Sequence, residues 1–451
     1  MFEFIWNLSS FVIALGILVT VHEYGHFWVA RKNDVKVERF SIGFGKALWR
    51  RKDKHGTEFV IALIPLGGYV KMLDERVDDV LPEDKDKTFN SKSVYQRIAI
   101  IAAGPLANFI FAIIAFYLMF LIGVPSIKPV TGTIAENSIA ATANMQSGSE
   151  IIEVSGIKIK DWQDVNLALV AAIGEQSIEI KTRSNDSVSL TTHQLNTTNW
   201  QFSPENTSAI ESLGLSVFRP KTYNEIALVG KDSPAEKAGL KISDIPLSVD
   251  GVAVNNNWLT FSDLIKNYPA QDVVIEILRD GIKQEVTAKP ASIERNGETI
   301  GYLGLAAKSD PYPKEYQIEI SYGPIEAIGE SAARTWQLVT LSFNMIGKLI
   351  TGDVSVKNLS GPIAIAQGAG DHAGYGFVYF LGFLALISIN LGIINILPVP
   401  VLDGGHLVYY LIELFIGRPV PEKIQEIGFK FGTLALLGLM SVALFNDISR
   451  L

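Results

Sequence analysis

His22, Glu23 and His26, in the pentapeptide HEYGH, are the first residues whose types and spacing allow chemistry. On a helix, positions i and i+4 share a face, so both imidazoles reach one divalent metal. The glutamate beside the first is placed to take a proton from an attacking water. The pattern fixes only three of five positions, and two packed helical histidines would match it equally. Its position adds weight. It closes an 18-residue uncharged run, 4–21, and a Glu with two His at the edge of an apolar helix is costly without partners. Catalytic zinc usually takes three protein ligands and leaves one position open, so a third ligand is expected near the same membrane face. Asp403 answers that need. It is the first acid after 30 uncharged residues, 373–402, and sits in the stretch NILPVPVLDGG that begins at Asn395. Pro398 and Pro400, two apart, cannot continue a regular helix. Irregular backbone at membrane depth is tolerated only when buried in protein or lining a wet cavity.

The elements that position these residues follow from hydropathy. The chain has 451 residues, 48% of them hydrophobic and 19% charged, and its apolar residues concentrate in long charge-free runs. Runs 4–21, 98–124, 373–402 and 431–445 are candidate membrane spans, the last lengthened by 427–429 with Lys430 snorkelling. The first run lacks the basic flank of a signal peptide and is expected to be a retained helix with its N-terminus outside. Residues 31–97 hold 15 Lys/Arg against 11 Asp/Glu, which places them in the cytoplasm. The second span then returns the chain outside, the third enters and the fourth leaves. A fifth run, 335–347, carries Gln337, Thr340, Ser342 and Asn344 and is read as an interfacial or packed helix that does not span. That reading and the metal site stand together. If 335–347 spanned, Asp403 would lie on the membrane face opposite His22 and His26.

Composition excludes other classes. Without cysteine there is no thiol nucleophile, Fe–S cluster or Cys-ligated zinc finger. The basic segment is explained by topology, so nucleic-acid binding has no support. A metal or proton pathway is the alternative that intramembrane His, Glu and Asp allow, and a non-catalytic scaffold is another.

HEYGH in the first span, GPLANF (104–109) in the second and NILPVPVLDG in the third together resemble the site-2 protease family of intramembrane zinc metalloproteases. The resemblance covers nearly the whole chain. It implies that His22, His26 and Asp403 bind Zn2+, that Glu23 activates water, and that Asn395 contacts substrate. It implies a substrate that crosses the membrane once and is already shortened outside, such as an anti-sigma factor, with cleaved signal peptides as a second class. It also implies a multi-pass protein of the bacterial inner membrane, among lipids, with its active site near the cytoplasmic side.

Between the first two spans, GFG at 43–45 and LGGYVKM at 66–72 flank short β-branched stretches that read as strands and turns. In the resembling family such segments form a membrane-dipping β-hairpin and an edge strand beside the active site, which here points to Gly67, Gly68 and Tyr69 as substrate-binding positions. An edge strand offers unpaired backbone groups to an extended peptide. Residues 125–372 have globular composition and an internal repeat. Asn137-Ser138 recurs as Asp232-Ser233, Ser155-Gly156 as Asp250-Gly251, and Trp162 as Trp258, at an offset near 95 residues. These look like tandem PDZ-type modules, although Asn144-Met145 stands where the second has Gly239-Leu240, and Ser243 and Pro246 depart from the usual pattern.

The expected architecture is therefore a polytopic α-helical membrane protein. Its four transmembrane helices, a membrane-associated β-hairpin or sheet, and two extracytoplasmic PDZ-type α+β domains fall as follows: first span 1–30, cytoplasmic β segment 31–97, second span 98–124, modules 125–220 and 221–309, non-spanning helical segment 310–372, third span 373–403, cytoplasmic loop 404–426 and fourth span 427–446.

Overall fold

In the computed structural model, which describes residues 2–76, 79–184, 189–200, 207–295, 298–352 and 354–449, four helices are long and apolar enough to cross a membrane: Phe4–Lys32, Val94–Ile122, Phe377–Ile396 and Glu422–Ser449. The chain divides into two compact units, 1–126 with 319–448, and 127–318. In order, the first unit contains α1 (Phe2–Lys32), β1 (Val37–Lys52), β2 (Glu58–Met72), α2 (Val94–Ile122), α3 (Pro324–Thr351), α4 (Pro362–Tyr375), α5 (Phe377–Ile396), α6 (Asp403–Ile416) and α7 (Glu422–Ser449).

α1 is apolar almost throughout and stops after Arg31 and Lys32, cations that suit a helix C-terminus. α2 starts at a capping box in which the Ser93 hydroxyl accepts from the Gln96 amide and the Gln96 side chain reaches back. It then carries Pro105 in its interior, a break in the ladder that neighbouring helices allow in a membrane protein. α3 is 28 residues long but is not among the four candidate spans. Its buried positions Ala327, Ser331, Thr335 and Leu338 form one stripe at helical spacing, and it packs against α2 and α5.

The third apolar run departs from the expected 373–403. Gly376, at φ 121°, separates α4 from α5, so residues 373–375 end the preceding helix and the uninterrupted span is Phe377–Ile396. Hydropathy could not mark this break, because a positive φ at glycine leaves the apolar run unbroken. After Ile396 the chain runs through the two prolines and re-enters a helix at Asp403. The expected loop 404–426 is thus largely α6. The other helices also run past their sequence-based limits, to Lys32, back to Val94, and over Glu422–Ser449.

β1 and β2 are long bent strands. Arg39–Ile42 is flanked on both sides, with Arg39 facing Lys71 and Glu58, and Ile42 facing Gly68 and Ile61. Among the described residues no strand pairs with the far side of 68–72, which is therefore an edge. Phe27 of α1 packs edge-on against Phe40 and Phe59 of the sheet, in a core shared with Ala30, Val35 and Ile100.

The second unit holds two modules of the same plan. The first orders its strands Ile157–Lys158, Ser149–Val154, Ser177–Ser184 and Leu190–Asn196, with helix Trp162–Ala171. The second orders Val252–Ala253, Ile245–Val249, Val273–Arg279 and Ile282–Ala288, with helix Trp258–Lys266. Each has its own apolar core. The repeated residues are the turn formers. Ser155 and Asp250 have φ 46° and 45°, and Asn137 and Asp232 have φ 59° and 58°, left-handed positions that Asn and Asp tolerate. Asn144 and Gly239 are both left-handed too, so the exchange that sets the modules apart in sequence preserves the turn.

Candidate metal centre

α1 places His22 and His26 one turn apart with their rings 4.9 Å apart and nearly perpendicular. α2 crosses behind them. Gly25 of α1 sits against Ala103 so closely that an added Cβ would lie 2.8 Å from the Ala103 carbonyl carbon and 2.8 Å from the Ala107 Cβ. At the next residue of α2, a Cβ on Gly104 would lie 2.6 Å from His26 Cε1 and 2.9 Å from His22 Cε1, and closer still to His26 Nε2. Glycine at both positions lets the two helices approach and leaves the imidazoles the space above Gly104.

α6 brings Asp403. Its first residue stands at the helix start, followed by Gly404 and Gly405. A Cβ on Gly404 would strike the Ile396 and Leu397 carbonyls, and one on Gly405 the Pro400 backbone, so the proline-containing turn folds tightly back on the helix it precedes. From the other side Gly428 and Gly432 of α7 pack against Pro400. Arg97 of α2 holds the far end of α6 through a two-pronged pair with Glu413, at 2.8 and 3.1 Å.

Asp403 Oδ2 lies 3.1 Å from His22 Nε2 and 3.3 Å from His26 Nε2, and the two ring nitrogens are 3.3 Å apart. Oδ2 is buried and has no hydrogen-bond partner of sound geometry despite these neighbours. Three ligand atoms on a tetrahedral zinc, with bonds of about 2.0–2.1 Å, would stand roughly 3.3 Å apart. The triangle has those edges, and an orphaned carboxylate oxygen at one corner is what a shared cation would satisfy. The donor set, two imidazoles and a carboxylate, also suits zinc. His26 Nδ1 lies 2.9 Å from the Ile100 carbonyl. That oxygen only accepts, so the ring proton is on Nδ1 and Nε2 is free to ligate.

Glu23 is the next residue on α1 and is half-buried. Gly68 lies against it, since a Cβ there would be 3.0 Å from Glu23 Cγ and 2.7 Å from Val19 Cγ1. The free edge of β2 therefore runs beside Glu23. Gly67 (φ 119°) gives room to the Phe44 ring, and Tyr69 stacks on Phe44 and accepts from Arg39 at 3.3 Å. Asn395, in the last turn of α5 and half-buried, makes no hydrogen bond to His22, His26 or Asp403. The structure thus gathers His22, His26 and Asp403, with Glu23 and Gly68 adjoining, and leaves Gly67, Tyr69 and Asn395 outside that cluster.

Sequence reasoning assigned no role to Ile100, Gly104 or Asn108, which meet the histidines at successive turns of α2. Their i, i+4, i+8 spacing was the available signal.

A model of Peptidase family M50 matches residues 10–439. The chain is 52% identical to the regulator of sigma-E protease RseP of Escherichia coli over 451 residues, 50% to protease RseP of Yersinia pestis over 453, and 48% to a putative zinc metalloprotease of Vibrio cholerae over 453. Each alignment covers the full length of both chains.

Proposed function

The chain belongs to Peptidase family M50 and is a zinc metalloendopeptidase of the site-2 protease type, and from that premise we propose that it hydrolyses a peptide bond within or beside the transmembrane segment of a substrate that crosses the membrane once. The observation that carries this reading is the His22, His26 and Asp403 triangle, with Glu23 and the free edge of β2 beside it. His22, His26 and Asp403 would hold the metal. Zinc, when bound, supplies a Lewis acid for the scissile carbonyl and acidifies water.

The rest falls to the chain's own groups. Glu23 takes the proton of the attacking water and passes it to the leaving amine. A helical substrate hides its carbonyls in its own ladder, so it must be unwound first. The 68–72 edge offers backbone groups to the extended segment, with Gly67, Gly68 and Tyr69 as the substrate strip, and Asn395 contacts the substrate from α5.

The name of the Escherichia coli relative connects it with sigma E regulation, and by the family resemblance the substrate is an anti-sigma-factor-like protein already shortened outside. Remnant signal peptides are the second class. In the topology read from charge, the protein lies in the bacterial inner membrane with its site near the cytoplasmic side. Its two repeated modules are then PDZ-type and periplasmic, where they screen or bind substrates.

The test is cleavage of a short single-span substrate by purified protein in detergent, with zinc chelator and after zinc repletion. Loss and recovery are expected. Cleavage indifferent to chelator would end the metalloprotease reading of this site.

A further inference from the structure

Asn108 is fully buried on α2, and its Nδ2 lies 3.0 Å from His22 Nδ1. Its Oδ1 has no partner, and an unpaired buried amide oxygen costs about 1–3 kcal/mol. As it stands, Nδ2 donates to Nδ1. His22 must then carry its proton on Nε2, the atom that faces Asp403. A metal on His22 Nε2 requires the other tautomer, with the proton on Nδ1 and an acceptor opposite it. His26 already has such an acceptor in the Ile100 carbonyl. Among the described residues, the amide of Asn108 is the one side chain hydrogen-bonded to His22 Nδ1. Half a turn about its Cβ–Cγ bond exchanges Nδ2 for Oδ1, which supplies that acceptor and pairs the orphaned oxygen in one movement.

We propose that Asn108 is the positioning residue of the metal site: its side-chain oxygen accepts from His22 Nδ1–H and so fixes the tautomer and ring orientation that let Nε2 bind zinc. This rests on the metal reading given above. The placement supports it twice over. The Asn108 carbonyl accepts from Ser388 Oγ at 2.9 Å, which ties this turn of α2 to α5. Gly104, one turn earlier, leaves the space that the two rings occupy. Ile100, Gly104 and Asn108 then form one stripe that offers His26 an acceptor, gives both rings space, and offers His22 an acceptor. Partners of this kind typically change metal affinity by about 10–100-fold.

The experiment is a zinc titration of the purified full-length protein in detergent against a competing chelator, with cleavage measured alongside. The set is the unaltered protein, Asp403→Ala, Asn108→Leu, Asn108→Asp and Ser388→Ala. We expect Asn108→Leu to bind zinc about 10–100-fold more weakly and to recover cleavage as free zinc is raised. Asn108→Asp, which keeps an oxygen at Nδ1–H, should stay within a few-fold of the unaltered protein, and Ser388→Ala, which loosens the turn but leaves the side-chain oxygen in place, should lose clearly less affinity than Asn108→Leu. Where leucine prevents folding, Asn108→Ala replaces it with the same expectations. Unchanged zinc affinity in Asn108→Leu would overturn the proposal. So would equal losses in Asn108→Leu and Asn108→Asp, or an equal loss in Ser388→Ala. If instead Asp403→Ala binds zinc as tightly as the unaltered protein, the metal reading itself fails, which is a separate result.

Discussion

Gly104→Ala isolates the geometry of the site from the stability of the fold. The new methyl carbon would stand 2.6 Å from His26 Cε1 and 2.9 Å from His22 Cε1, where ordinary carbon contacts need about 3.5–4.0 Å. The atoms in its way are the ends of two imidazoles rather than backbone, so the rings give way, by about 1 Å at His26. Zinc–ligand distances tolerate only about 0.2 Å, and a misplacement near 1 Å at a reacting centre costs about 100-fold in rate. Alanine meanwhile favours a helix over glycine by about 1 kcal/mol. The expected variant is therefore as stable as the unaltered protein in a thermal melt in detergent. It binds zinc at least about tenfold more weakly, since second-shell losses alone reach that size, and cleaves a single-span test substrate about 100-fold more slowly. Chelator competition, a melt and a cleavage time course measure the three. A Gly104→Ala protein with normal zinc affinity and normal cleavage would refute the claim that the imidazoles depend on this space.

Gly25→Ala should behave differently, because its methyl would meet the Ala103 backbone and the Ala107 Cβ. Here α1 and α2 must separate, so both the melt and cleavage should suffer, and an unchanged melting temperature would contradict the close packing. Glu413→Ala removes the partner of Arg97, two groups only 13% and 14% exposed, and should cost about 1–3 kcal/mol with a smaller effect on zinc than on stability. Asp447→Ala strips the acceptor that serves the Gly361, Ile363 and Ala364 amides at the start of α4 at 2.8, 2.8 and 3.1 Å. A loss of about 1–3 kcal/mol is expected, and Asp447→Asn should recover part of it. A melt of Asp447→Ala that matches the unaltered protein would show that this buried cap contributes nothing.

The grouping of His22, His26 and Asp403 was legible in the sequence because metal chemistry fixes residue type and spacing. Two histidines four apart on a span, and the first acid after a long uncharged run, needed only the topology to put them on one membrane face. The turn formers of the repeat were legible for the same kind of reason, since a left-handed residue restricts its type wherever it falls. What lay beyond reach depends on facing rather than on type. Gly376 splits an apolar run whose hydropathy does not change across the break. Asp403 was read as the end of a span, whereas it starts α6, with Gly404 and Gly405 as clearances for the preceding turn. Asn108 was visible within GPLANF, yet only the crossing of α1 on α2 turns it toward His22. The cap that Asp447 provides joins residues more than 80 positions apart, which no local pattern encodes.

The most direct test of the account is zinc content and cleavage measured together on Glu23→Gln. Glu23 is assigned to proton transfer and His22, His26 and Asp403 to the metal, so this variant should retain zinc at the level of the unaltered protein and cleave no single-span substrate. Cleavage that persists in Glu23→Gln would contradict the assignment of the base. Loss of zinc together with cleavage would contradict the division of roles between Glu23 and the three ligands.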